Sequence, residues 1–200
     1  MSTFVGHALV ASLVTTTAGR NLDSRERKFL IILGALIAQI PDLDIIIYVA
    51  LKPLGMVPHR GFSHSLIFAL LFSGAAGRIC SRWIKIGFQR LWTVLFIVGV
   101  SHLFLDYLMG AGPPVPFFFP YQVDGYLFPI RLLPIAYYGK SAAAYLSSSF
   151  WLLNGIAAVL EILIFIPLIA ATRKELTRQT RLLGLILTVI SIIITFKIYN

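Results

Sequence analysis

Six apolar stretches govern what this chain can become, at residues 3–18, 29–51, 64–79, 91–109, 150–171 and 182–199. They follow one another with so little polar sequence between them that 58% of the 200 residues are hydrophobic and 12% charged. A soluble domain carries about 25% charged residues, and no single core of this size could bury so much apolar surface. A soluble fold is therefore excluded. The expected fold is all-α: one polytopic transmembrane helical bundle over residues 1–200, with about six spans. A crossing takes about 20 residues at 1.5 Å each. The second, fourth and fifth stretches reach that length, whereas the first and third are short. Those two either end below the headgroups or sit in a protein-lined cavity.

The charge pattern supplies an orientation. The formal charge is +9, from 17 Lys and Arg against 8 Asp and Glu. In a soluble protein such a balance points to nucleic acid; between apolar runs it points to anionic lipid headgroups, so no nucleic-acid partner is expected. Arg20, Arg25, Arg27 and Lys28 lie in the first connection, Arg78, Arg82, Lys85 and Arg90 in the third, and Arg173, Lys174, Arg178 and Arg181 in the fifth. The second holds Lys52 and Arg60, the fourth Arg131 and Lys140. By the positive-inside rule the odd connections face the cytoplasm and both termini face outward. The first basic residue, Arg20, follows the first apolar stretch, unlike the order in a signal peptide. Residues 110–149 form a long connection rich in Pro and aromatics, read as an ordered, non-helical outer loop because Pro lacks the N–H that a helix needs. The single cysteine, Cys80, excludes an intramolecular disulfide.

Against this apolar background the ionisable residues are conspicuous. Each costs about 2.5–3.5 kcal/mol to insert at the centre of a span, yet all four histidines (His7, His59, His64 and His102) lie in or beside apolar runs. So do Asp42, Asp44 and Asp106, three of the five aspartates. His102 and Asp106 stand at i and i+4, on one helix face. Pro41 interrupts the second stretch and lets Asp42 and Asp44 turn inward. His59 and His64 flank the entry to the third stretch, where Ser63 or Ser65 can cap the helix. Counted at 1.5 Å per residue from the inner edge, Asp42 lies at about 20 Å, His102 at about 17 Å and Asp106 at about 23 Å. His7, counted from the outer edge, reaches a comparable depth. Singly, each of these has a bland reading as a packed histidine, a helix cap or a polar bridge between helices. Their coincidence at one level of the outer half points to a metal site. Mixed imidazole and carboxylate ligands suit Zn2+, Mn2+ or Fe2+, as one ion or as two adjacent ones.

Weaker candidates remain beside this set. Arg60 can bind a phosphate or merely snorkel. Glu161, Asp124 and Arg131 are read by default as ordinary polar residues, and Trp83, Trp92 and Trp151 as interface anchors.

His7, Pro41-Asp42-Leu43-Asp44, His59-Arg60-Gly61-Phe62-Ser63-His64-Ser65 and Ser101-His102-Leu103-Phe104-Leu105-Asp106 together resemble the signature of the YdjM-like, membrane-bound metal-dependent hydrolases. The Gly/Pro/aromatic stretch at residues 112–120 is similar to the one that follows the family's His-x-x-x-Asp motif. Ser63 stands where the family commonly has Thr. The likeness covers residues 1–125; the two further spans within 150–200 carry no motif. It implies a remote similarity to the zinc-dependent phospholipase C and single-strand nuclease superfamily, and hence a helical bundle with a two- or three-zinc phosphoesterase centre.

The expected function is a metal-dependent hydrolase of the inner membrane, acting on a phosphoester of a lipid or other membrane-associated substrate. Its metal ligands are expected among His7, Asp42, Asp44, His59, His64, His102 and Asp106. Asp42, Asp44 and Arg60 carry the catalytic roles, with either carboxylate as general base and Arg60 holding the anionic headgroup. The second reading is a divalent-cation transporter or channel that uses the same residues as a transit site; a third is a structural zinc protein. A transporter should carry polar residues on to the opposite side, and the inner half here is almost purely apolar, apart from Glu161. Seven candidate ligands exceed the four of a closed structural site.

Overall fold

The computed structural model describes residues 2–51, 59–137, 139 and 141–200. Lys52 and Lys140, used in the charge pattern, lie outside the described residues. All regular structure described is helical, apart from an isolated bridge between Val115 and Tyr126. Helix α1 spans Phe4–Ala18, α2 Ser24–Ile37, α3 Asp44–Leu51, α4 Leu66–Cys80 and α5 Phe88–Leu108. The long connection, read as non-helical over 110–149, is helical at its end: Ser141 caps a short α6, Ala142–Tyr145, by accepting from Ala144 N, and α7, Ser148–Thr172, begins within it, followed by α8, Arg178–Tyr199.

Helix starts follow local capping chemistry. Thr3, Asp23, Ser65, Ser147 and Thr177 each stand at an N-cap and accept a backbone N–H of the first turn. Such a cap satisfies a donor that has no partner within the helix. Of the two serines considered for α4, Ser65 takes the cap position.

Four rods are long and apolar enough to cross a membrane: 24–48, 88–108, 148–172 and 178–199. The second, fourth and fifth stretches are among them, joined by the sixth. The helices of the first and third stretches, α1 and α4, have 15 residues each. At 1.5 Å per residue they extend about 22 Å, short of a 30 Å core. The first of the long rods is not continuous. Pro41 ends it, and a 3-10 turn at Pro41–Leu43 separates α2 from α3.

Short α1 lies at the centre, packed against α2, α5 and α7, while α4 packs on α5 and α8 on α7. The α7–α8 contact is close: a Cβ on Gly184 would stand 2.6 Å from the Pro167 carbonyl oxygen. Thr188 Oγ1 donates to Ile164 O across it. Small residues that admit such approach are the usual solution between helices in lipid. The opposite faces of α7 and α8 expose Leu152, Leu163, Ile166, Leu182, Val189 and Ile193. An apolar surface of that extent suits a bilayer and not water.

The three basic connections meet at one end of the bundle. Arg20 donates to Thr172 O at the end of α7, Arg90 to Ala18 O at the end of α1, and Lys85 N to Glu26. Arginines there complement the negative ends of α1 and α7. Ala11, Leu30, Leu91, Leu95 and Val98 form a buried apolar core beside this end. The opposite end gathers the start of α1, the break after α2, the end of α5 and the long connection.

Candidate metal centre

Four histidine and aspartate side chains converge at that end. Asp42, His64, His102 and Asp106 are buried, and one ligand atom of each lies within 4.8 Å of all the others. His64 Nε2 stands 3.4 Å from Asp42 Oδ1, 3.5 Å from Asp106 Oδ2 and 3.3 Å from His102 Nε2. His102 Nε2 is 3.7 Å from Asp42 Oδ1 and 3.9 Å from Asp106 Oδ2. Ligand atoms about 2.0–2.1 Å from a tetrahedral ion stand about 3.4 Å apart. The spacing is thus wide for hydrogen bonds and suited to a shared cation.

Each histidine of the quartet is oriented by a partner at its other nitrogen. His102 Nδ1 lies 2.8 Å from Ala38 O. A carbonyl only accepts, so Nδ1 carries the proton and Nε2 keeps its lone pair. The carbonyl is available because the helix stops: the break before Pro41 leaves Ala38 O without a following turn to serve. His64 Nδ1 is 3.0 Å from Ser63 Oγ and 3.2 Å from Asp44 Oδ2, while Ser63 Oγ donates to the same carboxylate oxygen. The serine proton is thereby committed to Asp44, so His64 Nδ1–H donates and Nε2 faces the cluster. Metal-binding histidines are commonly held this way.

The other candidates arrange themselves around the quartet. His7 stacks on His102 with ring centroids 3.8 Å apart. Its Nε2 lies 3.7 Å from Asp42 Oδ2 and 3.6 Å from Asp106 Oδ1, on the far oxygens of both carboxylates. Asp44 sits one layer out and accepts from His59 Nδ1 at 2.7 Å, Arg60 N at 3.0 Å and Ser63 Oγ at 2.7 Å. His59 stands edge-on to His64 at 5.4 Å, reaching the centre through Asp44 and His64. Arg60 is buried and adopts the left-handed φ of 65°. Its Nε pairs with Asp106 Oδ2 at 3.0 Å, and its Nη1 donates to Ala111 O and Pro113 O. The Pro/aromatic loop thereby closes over the site, with Phe117 O accepting from Leu66 N. Asp124 and Arg131 are exposed, and Arg131 bonds Tyr199 O at the end of α8.

Glu161, read from the sequence as a polar residue of the inner half, lies instead at the end of the bundle that holds the centre. From the middle of α7 it accepts from Ser2 Oγ, Thr3 N, Thr3 Oγ1 and Gly6 N, at the first turn of α1. Ser2 N in turn donates to Asp106 Oδ1 at 3.1 Å. Glu161 is thus a clasp that sets α1, and with it His7, against the centre. Nothing in the spacing of Ser2 or Thr3 marks them as its partners.

The set fits a divalent cation on a second ground. Both Asp42 oxygens and both His7 nitrogens are buried without a hydrogen-bond partner among the described residues. A buried carboxylate left so would be costly; a cation between these groups removes the cost.

Comparison with known proteins gives two matches. The family description "YdjM inner membrane protein" covers residues 1–198. The chain is 28% identical over 142 residues to the inner membrane protein YbcI of Escherichia coli strain K12, an alignment covering 70% of this chain and 80% of that protein. No solved structure matches.

Proposed function

The chain belongs to the YdjM inner membrane protein family, and from that premise we propose that it is a membrane-embedded metal-dependent hydrolase of a lipid or membrane-associated phosphoester. The observation that carries this reading is the buried quartet, whose two histidines are locked with Nε2 inward. Asp42 and Asp106 each turn one oxygen to the His64/His102 pair and the other to His7, so these residues would hold a divalent cation, with zinc the best match to the donors. A divalent ion held there would polarise a phosphoryl oxygen and acidify water for attack.

The chain's own groups supply the rest. Arg60 Nη2 is buried without a hydrogen-bond partner among the described residues, beside the centre, and is placed to donate to a phosphoryl oxygen. Asp44 fixes His59 through Nδ1 at 2.7 Å and so holds that ring edge-on to His64. Asp44 itself acts as the positioning residue for both histidines. Between the centre and the basic end lies an apolar core that includes Leu95 and Val98, and the buried hydroxyls of Thr15 and Ser73 near it are tied to their own helix backbones at Ala11 O and Leu70 O. That arrangement favours chemistry over ion transit.

The test is turnover. Purified protein with zinc or manganese should release a soluble headgroup or inorganic phosphate from lipid micelles, and chelation should abolish the release. Inactivity on a broad panel of phospholipids and prenyl phosphates, together with divalent-cation flux into liposomes, would transfer the assignment to a transporter.

The same reading places the basic end in the cytoplasm and the centre in the outer half of the membrane. A cysteine at Arg25 should stay unlabelled by an impermeant thiol reagent in intact cells and react after permeabilisation. Labelling without permeabilisation would invert the orientation.

A further inference from the structure

A cavity of about 400 Å3 lies beside the centre, between the start of α1, α3, the segment at Ala136 and Tyr137, and the first half of α7. Its walls are apolar and aromatic, with Phe4, Val5, Ile45, Tyr137, Phe150 and Trp151 prominent. Of the polar side chains there, Asn154 Nδ2 is committed to Tyr137 O and Phe150 O at 2.9 Å each, and the Ser2 and Thr3 hydroxyls to Glu161. Such a space offers water too few partners to hold it.

Two features say what fills it. On one side the cavity adjoins the lipid-facing flank of α7. Trp151 and Gly155 line both the cavity and a shallow depression with Leu152, Ile156 and Val159 on that flank. At the other side it is walled by Ser2, whose backbone N–H donates to Asp106, and by Ile45, the residue after Asp44. An occupant entering from the bilayer would therefore have one end against the His/Asp centre. At roughly 30 Å3 per water-sized group, the space holds about a dozen such groups, enough for much of one chain.

We propose that this cavity is a binding site for a single aliphatic tail of a membrane lipid, holding that lipid with its headgroup at the His/Asp centre. The site rests on the hydrolase reading for its purpose and on the cavity alone for its existence. Tail binding raises the local concentration of the headgroup and fixes its approach, so that a chain-bearing phosphoester is preferred over a short, water-soluble one.

The experiment uses the full chain in vesicles containing a phospholipid with a diazirine in its acyl chain. After irradiation, adducts are mapped by mass spectrometry. Adducts should concentrate on Phe4, Ile45 and Phe150 relative to Leu182 and Val189 on the lipid-facing side of α8. Two filling variants are used, Ala158→Trp and Gly155→Leu, the second at a position where an added Cβ meets nothing within 4 Å. Cavity adducts should fall roughly tenfold in either variant, as expected when a few methylene contacts are lost, while α8 adducts stay unchanged. Cavity labelling no denser than that of α8, or undiminished in both variants, overturns the proposal. Labelling that behaves as expected in a protein without phosphoesterase activity supports the tail site and sinks the hydrolase reading. Turnover without cavity labelling does the reverse.

Discussion

Alanine at Asp42, His64, His102 or Asp106 is expected to strip the protein of its divalent metal, while alanine at Asp44 only weakens binding. The first four present oxygen or Nε2 to a common point, with separations of 3.3–3.9 Å between the pairs described. Removing one leaves an ion with three donors in a site that water reaches poorly. Asp44 instead acts through His64, His59 and Ser63. Loss of an outer partner of that kind typically costs about 10–100-fold in affinity, so Asp44→Ala protein should refill at higher metal concentration. Elemental analysis of the purified variants across a zinc titration reads the difference. His7→Ala separates two ions from one: it should halve the stoichiometry if His7 completes a second site on the far oxygens of Asp42 and Asp106. Full metal content in all four alanine variants of the quartet would reduce the cluster to a polar packing motif.

Breaking the Glu161 clasp should have the second large effect, on folding and metal together. Glu161→Ala leaves the hydroxyls of Ser2 and Thr3 and the N–H groups of Thr3 and Gly6 without this acceptor in the interior. Each unmet buried donor costs about 1–3 kcal/mol, and several lose their partner at once. Gly6→Val attacks the same contact sterically. A Cβ at Gly6 would stand 2.6 Å from both Cδ and Oε1 of Glu161, a carboxylate held by four donors and unable to swing aside. Either change should lower the thermal midpoint in detergent by several degrees, on the scale of about 1 kcal/mol per few degrees, and reduce bound metal in the folded fraction as His7 and Ser2 leave the centre. Gly155→Ala, in open space, serves as the control. A normal midpoint and full metal in Glu161→Ala protein would make the clasp incidental.

Much of this molecule was legible before any coordinate. The apolar stretches and their punctuation announced a membrane bundle, because hydropathy over 20 residues is a local property that lipid reads directly. Short first and third spans, a break at Pro41 and a cap on α4 were equally local. So was the inventory of the centre, since ionisable groups are too costly inside a membrane to be retained idly. Helical spacing put His102 and Asp106 on one face, and counting residues put them level with Asp42.

What spacing could not decide was the order of the layers. Asp42 and Asp44 look alike in a Pro-Asp-Leu-Asp run. A 3-10 turn advances about 120° per residue, so carboxylates two apart cannot face one point: Asp42 enters the quartet, and Asp44 turns to His59, Ser63 and His64. Arg60 likewise draws Asp106 and two loop carbonyls around itself, contacts that join the second connection to the end of α5 and the loop after it. The role of Glu161 depends on partners 155 to 159 residues away in sequence, and that of Ala38 O on a histidine 64 residues away. Sequence by itself determined that the chain lives in a membrane and which side chains are too costly there to be ornamental. Only the tertiary structure decided which of them converge on one point, which hold the others and what seats α1, because a residue's face is set by its own helix but its partner is set by how separate helices pack.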